Sequence, residues 1–595
     1  MESLIIIDVS DFSLDIVRPY WYSMAMAHLH KKIKKGRPYY YVREIQRING
    51  KPTVVNQVYL GSPERILEMF GSEGKSTFTS LSSKEFGSLF VFNELDKAIG
   101  LSDIVDSVVA PAAREQRPTI GEYCYYAVLN RVIEPLSKMR LPEWYRGTDI
   151  QSIRPVEAAR LNSKTFWDKW DRVGEDAVRE IARRFFLKVR ETVSLSGDCF
   201  LYDTTNYYTY LSSKTDSELA VRGKSKDGKH HLRQLGLALL VDRAEDVPVY
   251  YRLYPGNRHD SKVFYGDIEE LFSEICSWNK RKERLTVVFD KGVNSEDNIQ
   301  YIDEHQRVHF ITSYSAYFAE EFAGKDLKHF SALATERNKQ LRESGQTDEQ
   351  VLAYRGTGEF WGKARAVVVT YNPRTYRKKK YDFEQKIERV REELLRYRMN
   401  YKGQIPHWRD KEAIQDRYHR LCEDLHIGSQ YYELQFDKTE MSFRQNPYQV
   451  QIAIKRFGKN IIITDNMDWP TEDIYLAYRE RSKIEQHFRK SKSPFSIAVT
   501  PQYHWTDSKI RLHMLTCVVG MVYFALFKNK LKAAHITMSA EEAMRELRSL
   551  RTALYMFSGS RKLQRRLEDP TEGQIEVLKA FGYSIKDGWV LQASK

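Results

Sequence analysis

A chain of 595 residues is too long for one ordinary hydrophobic core, so two to four domains are expected. Hydrophobic residues at 42% exclude a wholly disordered chain, and a net charge of +14 with 13% aromatics suits a polyanionic partner. The five cysteines, Cys124, Cys199, Cys276, Cys422 and Cys517, are too scattered for a zinc knuckle or a disulfide framework, and a reducing cytoplasm fits them.

The N-terminal apolar run in MESLIIIDVSDFSLDIV has no basic flank before it and does not read as a signal peptide. Lys31 to Arg37 is a small basic cluster, and Tyr39 to Leu60 reads as a β-hairpin around Asn49-Gly50. Ser62-Pro63 reads as a helix start. Thr119 to Glu122 is a capping box for a helix that Pro135 ends, and Lys164–Val173 and Glu175–Thr192 are further helical stretches. No clean helix-turn-helix pattern occurs here. Residues 1–115 are thus expected to form an N-terminal region with the hairpin, and 116–196 a helical region.

From Gly197 the pattern changes. Strand-like runs at Asp198–Tyr202, Leu235–Val241 and Val247–Leu253 precede a helix over Ser261–Trp278, a strand at Leu285–Phe289, a helix after Asn294 and a strand at Val308–Thr312. Three strands in meander, then helix, strand, helix and strand, is the order of an RNase H-like core within a mixed α/β chain. In that order the first and fourth strands lie side by side, so Asp203 and Asp290, each at the end of an apolar run, converge. Asp198 precedes its strand, at the wrong end, and Asp297 falls inside the next helix.

Residues 314–459 then separate the last strand from Asn460–Asp465. They have internal structure and read as an inserted α+β domain. Ala364–Tyr371 is strand-like, Tyr381–Met399 is helical with Phe383, Ile387, Val390 and Leu394 on one face, and Lys411–Leu425 is a second helix. Tyr431–Phe436 and Tyr448–Ile454 read as strands, and Arg374–Lys380 as a basic run that either tracks a polyanion or is a solvated loop.

Tyr475 to Ser493, ended by Pro494, is expected to be one helix. Tyr478, Arg481, Glu485 and Lys492 stand in it at offsets 0, 3, 7 and 14. At about 100° per residue they share a sector of roughly 60°. Residues 460–530 are expected to complete the core. Within them Met514–Phe527 is too short for a membrane span and reads as a buried helix, with His513 as a core histidine. Ser539–Glu542 is another capping box, Ser558–Leu567 is basic, and 531–595 is expected to be helical.

The spacing Tyr-x2-Arg-x3-Glu-x6-Lys, downstream of Asp203 and Asp290, resembles the YREK signature of the DDE transposases of bacterial insertion sequences. Pro255-Gly256-Asn257, with Asp260 after it, resembles a loop common in that group. The resemblance implies catalysis by Asp203, Asp290 and Glu485 with two Mg²⁺ ions, for which Mn²⁺ can substitute. It implies DNA-backbone contacts by Tyr478, Arg481 and Lys492, and use of 116–196 to bind terminal inverted repeats. Some members stack a flipped base on an aromatic residue of the insertion, for which Trp361 is the first candidate and Trp408 the second. The implied partners are double-stranded DNA, at the element ends and the target, and a second copy of the chain in the DNA complex. The implied location is the bacterial cytoplasm, at the nucleoid and not in a membrane. The usual insertion of the group is mostly β, so the helical pair is a departure.

Without that resemblance the stripe reads as a solvated face with an Arg481–Glu485 pair, Asp203 as an Asx-turn and Asp290 as a turn with Gly292. An RNase H-like nuclease or resolvase without strand transfer, and an inactive DNA-binding remnant, are the competing functions.

Overall fold

The computed structural model describes residues 26–48, 51–63, 78–112, 115–195, 197–212, 214–223, 228–278, 284–305, 307–403, 405–493, 497–499, 504–557, 563–586 and 588–592. The N-terminal apolar run, the Asn49-Gly50 turn, the helix expected after Pro63, Pro494 and the start of the Ser558 run lie outside them.

The chain forms two compact units. The smaller comprises residues 1–83 and 553–566. It holds an antiparallel sheet of β1 (Met26–Lys34), β2 (Arg37–Ile48) and β3 (Lys51–Gly61). The basic cluster is therefore strand and turn, and the expected hairpin gains a third strand. Lys35 and Gly36 make the β1–β2 turn with φ of +48° and +78°, the left-handed pair that a two-residue hairpin loop requires.

The larger unit comprises 84–552 and 567–595. It begins with helices, among them α1 (Ile120–Ile133), closed by the expected capping box at Thr119 and Glu122, and α2 (Glu175–Thr192). Its open central sheet contains β4 (Cys199–Thr209), β5 (Arg233–Asp242), β6 (Val247–Pro255), β7 (Leu285–Phe289) and β8 (Val308–Tyr314). Helices α3 (Asp260–Trp278) and α4 (Glu296–Glu304) connect β6 to β7 and β7 to β8. β4, β5 and β6 form an antiparallel meander, whereas β7 runs parallel to both β4 and β8.

The sheet continues beyond β8. β9 (Leu352–Phe360) and β10 (Lys363–Tyr371) are a hairpin, and β10 pairs with a strand that the chain reaches only at Lys459–Thr464. That late strand also pairs antiparallel with β8. Between them stand α5 (Pro373–Lys402), α6 (Lys411–Asp424), a hairpin of β11 (Tyr432–Phe436) and β12 (Met441–Gln445), and α7 (Pro447–Arg456). The strand at Lys459–Thr464 is β13. The α5 residues Phe383, Ile387, Val390 and Leu394 are buried in a separate apolar cluster with α6 and this hairpin.

Three local readings are corrected here. Tyr448–Ile454 is not a strand but lies in α7: Asn446 caps the Gln449 N–H and Pro447 takes the first helical position, which overrides the β-branched residues. α5 begins at Pro373, capped by Asn372, so the basic run Arg374–Lys380 is helical, not a loop. The C-terminal stretch is likewise not purely helical. Beyond the helix Glu572–Ala580, Tyr583–Lys586 and Trp589–Gln592 pair as a hairpin, with Gly588 at φ +76° supplying the turn.

The remaining helices of interest are α8 (Thr471–Glu480), α9 (Ser482–Lys492) and α10 (Asp507–Ala533). By length and composition α10 could cross a membrane, but its apolar window is buried inside the unit's own core. His513 on α10 is a core residue, its Nε2 3.2 Å from the Val499 carbonyl and its ring stacked 4.3 Å from His504. Close by, Lys138 is 5% exposed, with its Nζ 5.2 Å from the Phe166 ring centre and 5.5 Å from that of Trp170. Among the described residues that ammonium has no hydrogen-bond partner. Burial, with Arg131 adding repulsion, pushes Lys138 down to about 7.

Candidate functional site

Strand parity brings the two aspartates together. Successive side chains on a strand alternate faces. Leu201 and Val288 are paired in register between β4 and β7, and both join the core cluster that also holds Ile474, Ile484 and the α10 residues, whereas α3 and α4 cover the opposite face. Asp203 and Asp290 each stand two residues further on, so they share that face at the same level. β4 runs on to Thr209, so Asp203 lies mid-strand, where β4 and β7 part company, and not at a strand end. Ser313 on β8 follows Ile311 on the same face and donates to Asp290 Oδ1 at 3.2 Å.

The third carboxylate arrives on α8 and α9. Ile474, Ala477, Ile484, Phe488 and Ser491 are buried, and with Arg481 they continue one stripe of alternating three- and four-residue steps. Arg481 therefore occupies a core position of its own helix. Burying Ile484 and Phe488 contributes about 1.5–3 kcal/mol each, enough to hold the stripe against the sheet. The expected single helix is interrupted at this residue. The Arg481 N–H bonds to the Tyr478 carbonyl and the Ile484 N–H to the Arg481 carbonyl, a three-residue spacing that tightens the turn between α8 and α9.

Four of the sequence-identified residues interlock with Asp290. Arg481 Nη1 lies 3.2 Å from Asp203 Oδ2, and its Nη2 lies 3.0 Å from Glu485 Oε1. The Tyr478 hydroxyl donates to Asp290 Oδ1 at 3.1 Å. Arg481 and Asp203 are 16% and 19% exposed, while Glu485 is 46% exposed. Burial pushes the Asp290 carboxyl up, but the Arg481 charge, the Lys291 N–H and the Tyr478 and Ser313 hydroxyls together hold it below the usual carboxylate range. Burial and the Asp290 charge push the Tyr478 hydroxyl up to about 12. Burial also works against the Arg481 charge, yet Asp290, Tyr478, Asp203 and Glu485 leave its affinity for the proton raised.

Lys492 is set apart from this cluster. Its Nζ lies 5.8 Å from the ring centre of Tyr207, and the neighbouring Ser491 hydroxyl is 2.5 Å from the Tyr207 hydroxyl. Tyr207 stands four residues beyond Asp203 on β4, about 13 Å along an extended strand. Trp361 occupies the β9–β10 turn at φ +51°, packed edge-on against Tyr314 at 5.5 Å and Phe310 at 6.0 Å. Trp408 packs on Tyr397 at 4.9 Å, with Arg417 4.4 Å over its ring. Asp198 precedes β4 and Asp297 lies in the first turn of α4, both away from the cluster.

Sequence reasoning missed a clamp that fixes α9. Asp246, at φ +56° in the β5–β6 turn, has Oδ1 2.9 Å from His487 Nε2 and Oδ2 2.9 Å from Lys528 Nζ. Burial raises this carboxyl, but His487 and Lys528 more than reverse that and bring it down to about 2. The signal for it was His487 on the buried face, two residues after Glu485. A depressed folded-state value stabilises above the ordinary carboxylate range and is lost as pH falls through about 2. Asp246→Asn is therefore expected to cost about 2 kcal/mol above pH 5, with about half of that difference gone by pH 3. Urea unfolding midpoints of parent and variant at pH 6 and pH 3 measure it; a pH-independent difference would remove the ionic clamp.

Three carboxylates around a guanidinium form a locus that demands positive charge. Their hard oxygen donors suit a small divalent cation better than a soft metal. Among the described residues no three His, Cys, Asp or Glu side chains are gathered closely enough to hold a metal, and Arg481 stands between Asp203 and Glu485, paired with both.

The profile of the family described as "Transposase DDE domain" matches residues 199–521, from the start of β4 into α10. No curated protein sequence matches the chain. Among solved structures, a cryo-EM structure of the piggyBac transposase synaptic complex with hairpin DNA is similar at 9% identity and a TM-score of 0.34, covering 78% of this chain and 82% of that one.

Proposed function

This chain belongs to the Transposase DDE domain family, and from that membership we propose that it is a transposase of the YREK group of bacterial insertion sequences. In this reading it cleaves DNA at the ends of its element and joins the freed 3′-ends to target DNA, by cut-and-paste. The observation that carries it is the network in which Arg481 pairs with Asp203 and Glu485 while Tyr478 donates to Asp290. β4 to β8, with α8 and α9 above, would serve as an RNase H-like catalytic core, and residues 314–459 as its insertion.

Asp203, Asp290 and Glu485 would hold two Mg²⁺ ions, which when bound stabilise charge on the attacking and leaving oxygens of an in-line displacement. The residues themselves do the positioning. Tyr478 and Ser313 fix the Asp290 carboxylate, and the Asp246 clamp fixes the helix that carries Glu485. Arg481 and Lys492 would grip the DNA backbone, the first as a bidentate fork and the second as a point charge. Double-stranded element ends and target DNA are the partners, a homodimer the working form in the DNA complex, and the bacterial nucleoid the place of work.

The test uses the inverted repeats flanking the coding region, supplied on a linear donor with a supercoiled target and Mg²⁺. Cuts at the element ends followed by 3′-end joining are expected. Nicks without joining would indicate a nuclease or resolvase, and binding without nicks an inactive remnant. Lys492→Ala is expected to weaken end binding irrespective of sequence and to reduce the salt slope by about one unit, since one fewer counterion is released. An unchanged slope would take Lys492 off the DNA path.

A further inference from the structure

We propose that Arg481 is a built-in counter-cation for the carboxylate cluster, one that has to leave before a divalent cation can enter and that thereby couples metal binding to DNA binding. The inference rests on the reading of Asp203, Asp290 and Glu485 as the metal's ligands.

The guanidinium bridges Asp203 and Glu485 at 3.2 and 3.0 Å, in the space an ion shared by those carboxylates would need. Arginine cannot step aside by losing its proton, so the charge conflict is relieved only by moving the side chain. Its present seat is also incomplete. Arg481 Nε is buried and has no hydrogen-bond partner among the described residues, a cost that favours departure. Two of the other cations on these helices are engaged elsewhere: Lys483 donates to the Arg243 carbonyl, and Lys490 pairs with Glu541. Arg481 pairs with two of the carboxylates that the metal reading uses.

A displaced guanidinium recovers its hydrogen bonds from a phosphate, which offers the same paired oxygens as a carboxylate. Metal binding thus releases the group that DNA needs, and DNA binding withdraws the group that excludes the metal. Linkage requires this coupling to be reciprocal.

The experiment titrates Mn²⁺ into the full chain, with and without a short duplex, reading free Mn²⁺ by electron paramagnetic resonance. Parent, Arg481→Gln, Arg481→Lys and Asp203→Asn are compared, with circular dichroism to confirm folding. Without DNA, Arg481→Gln is expected to bind Mn²⁺ about tenfold more tightly than the parent, the worth of a charge-assisted pair removed. Duplex DNA is expected to tighten Mn²⁺ binding in the parent and to do so little in Arg481→Gln. Arg481→Lys, which keeps the charge but not the two-pronged bridge, should fall between; it carries the test if the glutamine variant does not fold. If Arg481→Gln binds Mn²⁺ no better than the parent while Asp203→Asn loses it, the counter-cation is overturned and the metal reading stands. If Asp203→Asn binds like the parent, the metal reading fails and takes this proposal with it.

Discussion

Asp203→Asn, Asp290→Asn and Glu485→Gln are each expected to lower single-turnover cleavage of an element end by at least about a thousandfold, a loss typical of removing a group that acts on the transition state. Binding of that end, measured without divalent metal, should not be lost. The expectation follows from geometry, since the aspartates share one sheet face at one level and Glu485 is delivered to the same spot by the tightened turn at Arg481. The three should differ in stability. Glu485 is 46% exposed and pairs with Arg481 within its own helix, so its loss should be nearly neutral. Asp290 accepts from Tyr478 and Ser313, so its amide variant weakens two hydrogen bonds and should unfold more readily. Near-normal cleavage by any one variant would remove that residue from the catalytic set.

Lys138→Met is expected to make the protein more stable at neutral pH. The ammonium is buried without a hydrogen-bond partner among the described residues and is held down to about 7 from an ordinary 10.5. The sign follows from that direction. Folding must strip a proton from Lys138 or bury the charge, so this residue opposes folding below its unfolded value, and the penalty fades as pH rises toward that value. Methionine keeps the length and removes the charge. The gain should be about 2–4 kcal/mol at pH 7, tempered by the Phe166 and Trp170 ring contacts, and should be mostly gone near pH 10. Urea denaturation of both proteins at pH 7 and pH 9.5 decides it. A variant less stable than the parent at both pH values would mean the lysine is a net asset where it stands.

Much of the site was legible because its logic is local. The spacing of Tyr478, Arg481 and Glu485 within one helical stretch, and apolar runs ending at Asp203 and Asp290, depend on neighbours a few residues away. Short-range periodicity also located α3, β5, β6, β7, β8 and β13 to within a few residues, and both capping boxes. It failed at Tyr448–Ile454, where β-branched residues lost to an asparagine cap and a proline at the helix start.

Contacts between distant segments had no signature to read. Nothing local shows that β10 lies beside β13, that Asp246 clamps His487 and Lys528, or that Trp361 is wedged against Tyr314 in a turn. Lys492 satisfies the same spacing rule as its companions yet stands over Tyr207, because seven residues of α9 carry it about 10 Å along the helix from Glu485 and strand β4 runs on beneath it. The sequence by itself determined which side chains share a helix face and which carboxylates follow apolar runs, since both depend only on backbone periodicity. Tertiary structure alone decided that Arg481 points inward and bridges Asp203 to Glu485, because that depends on which stripe of the helix the sheet buries.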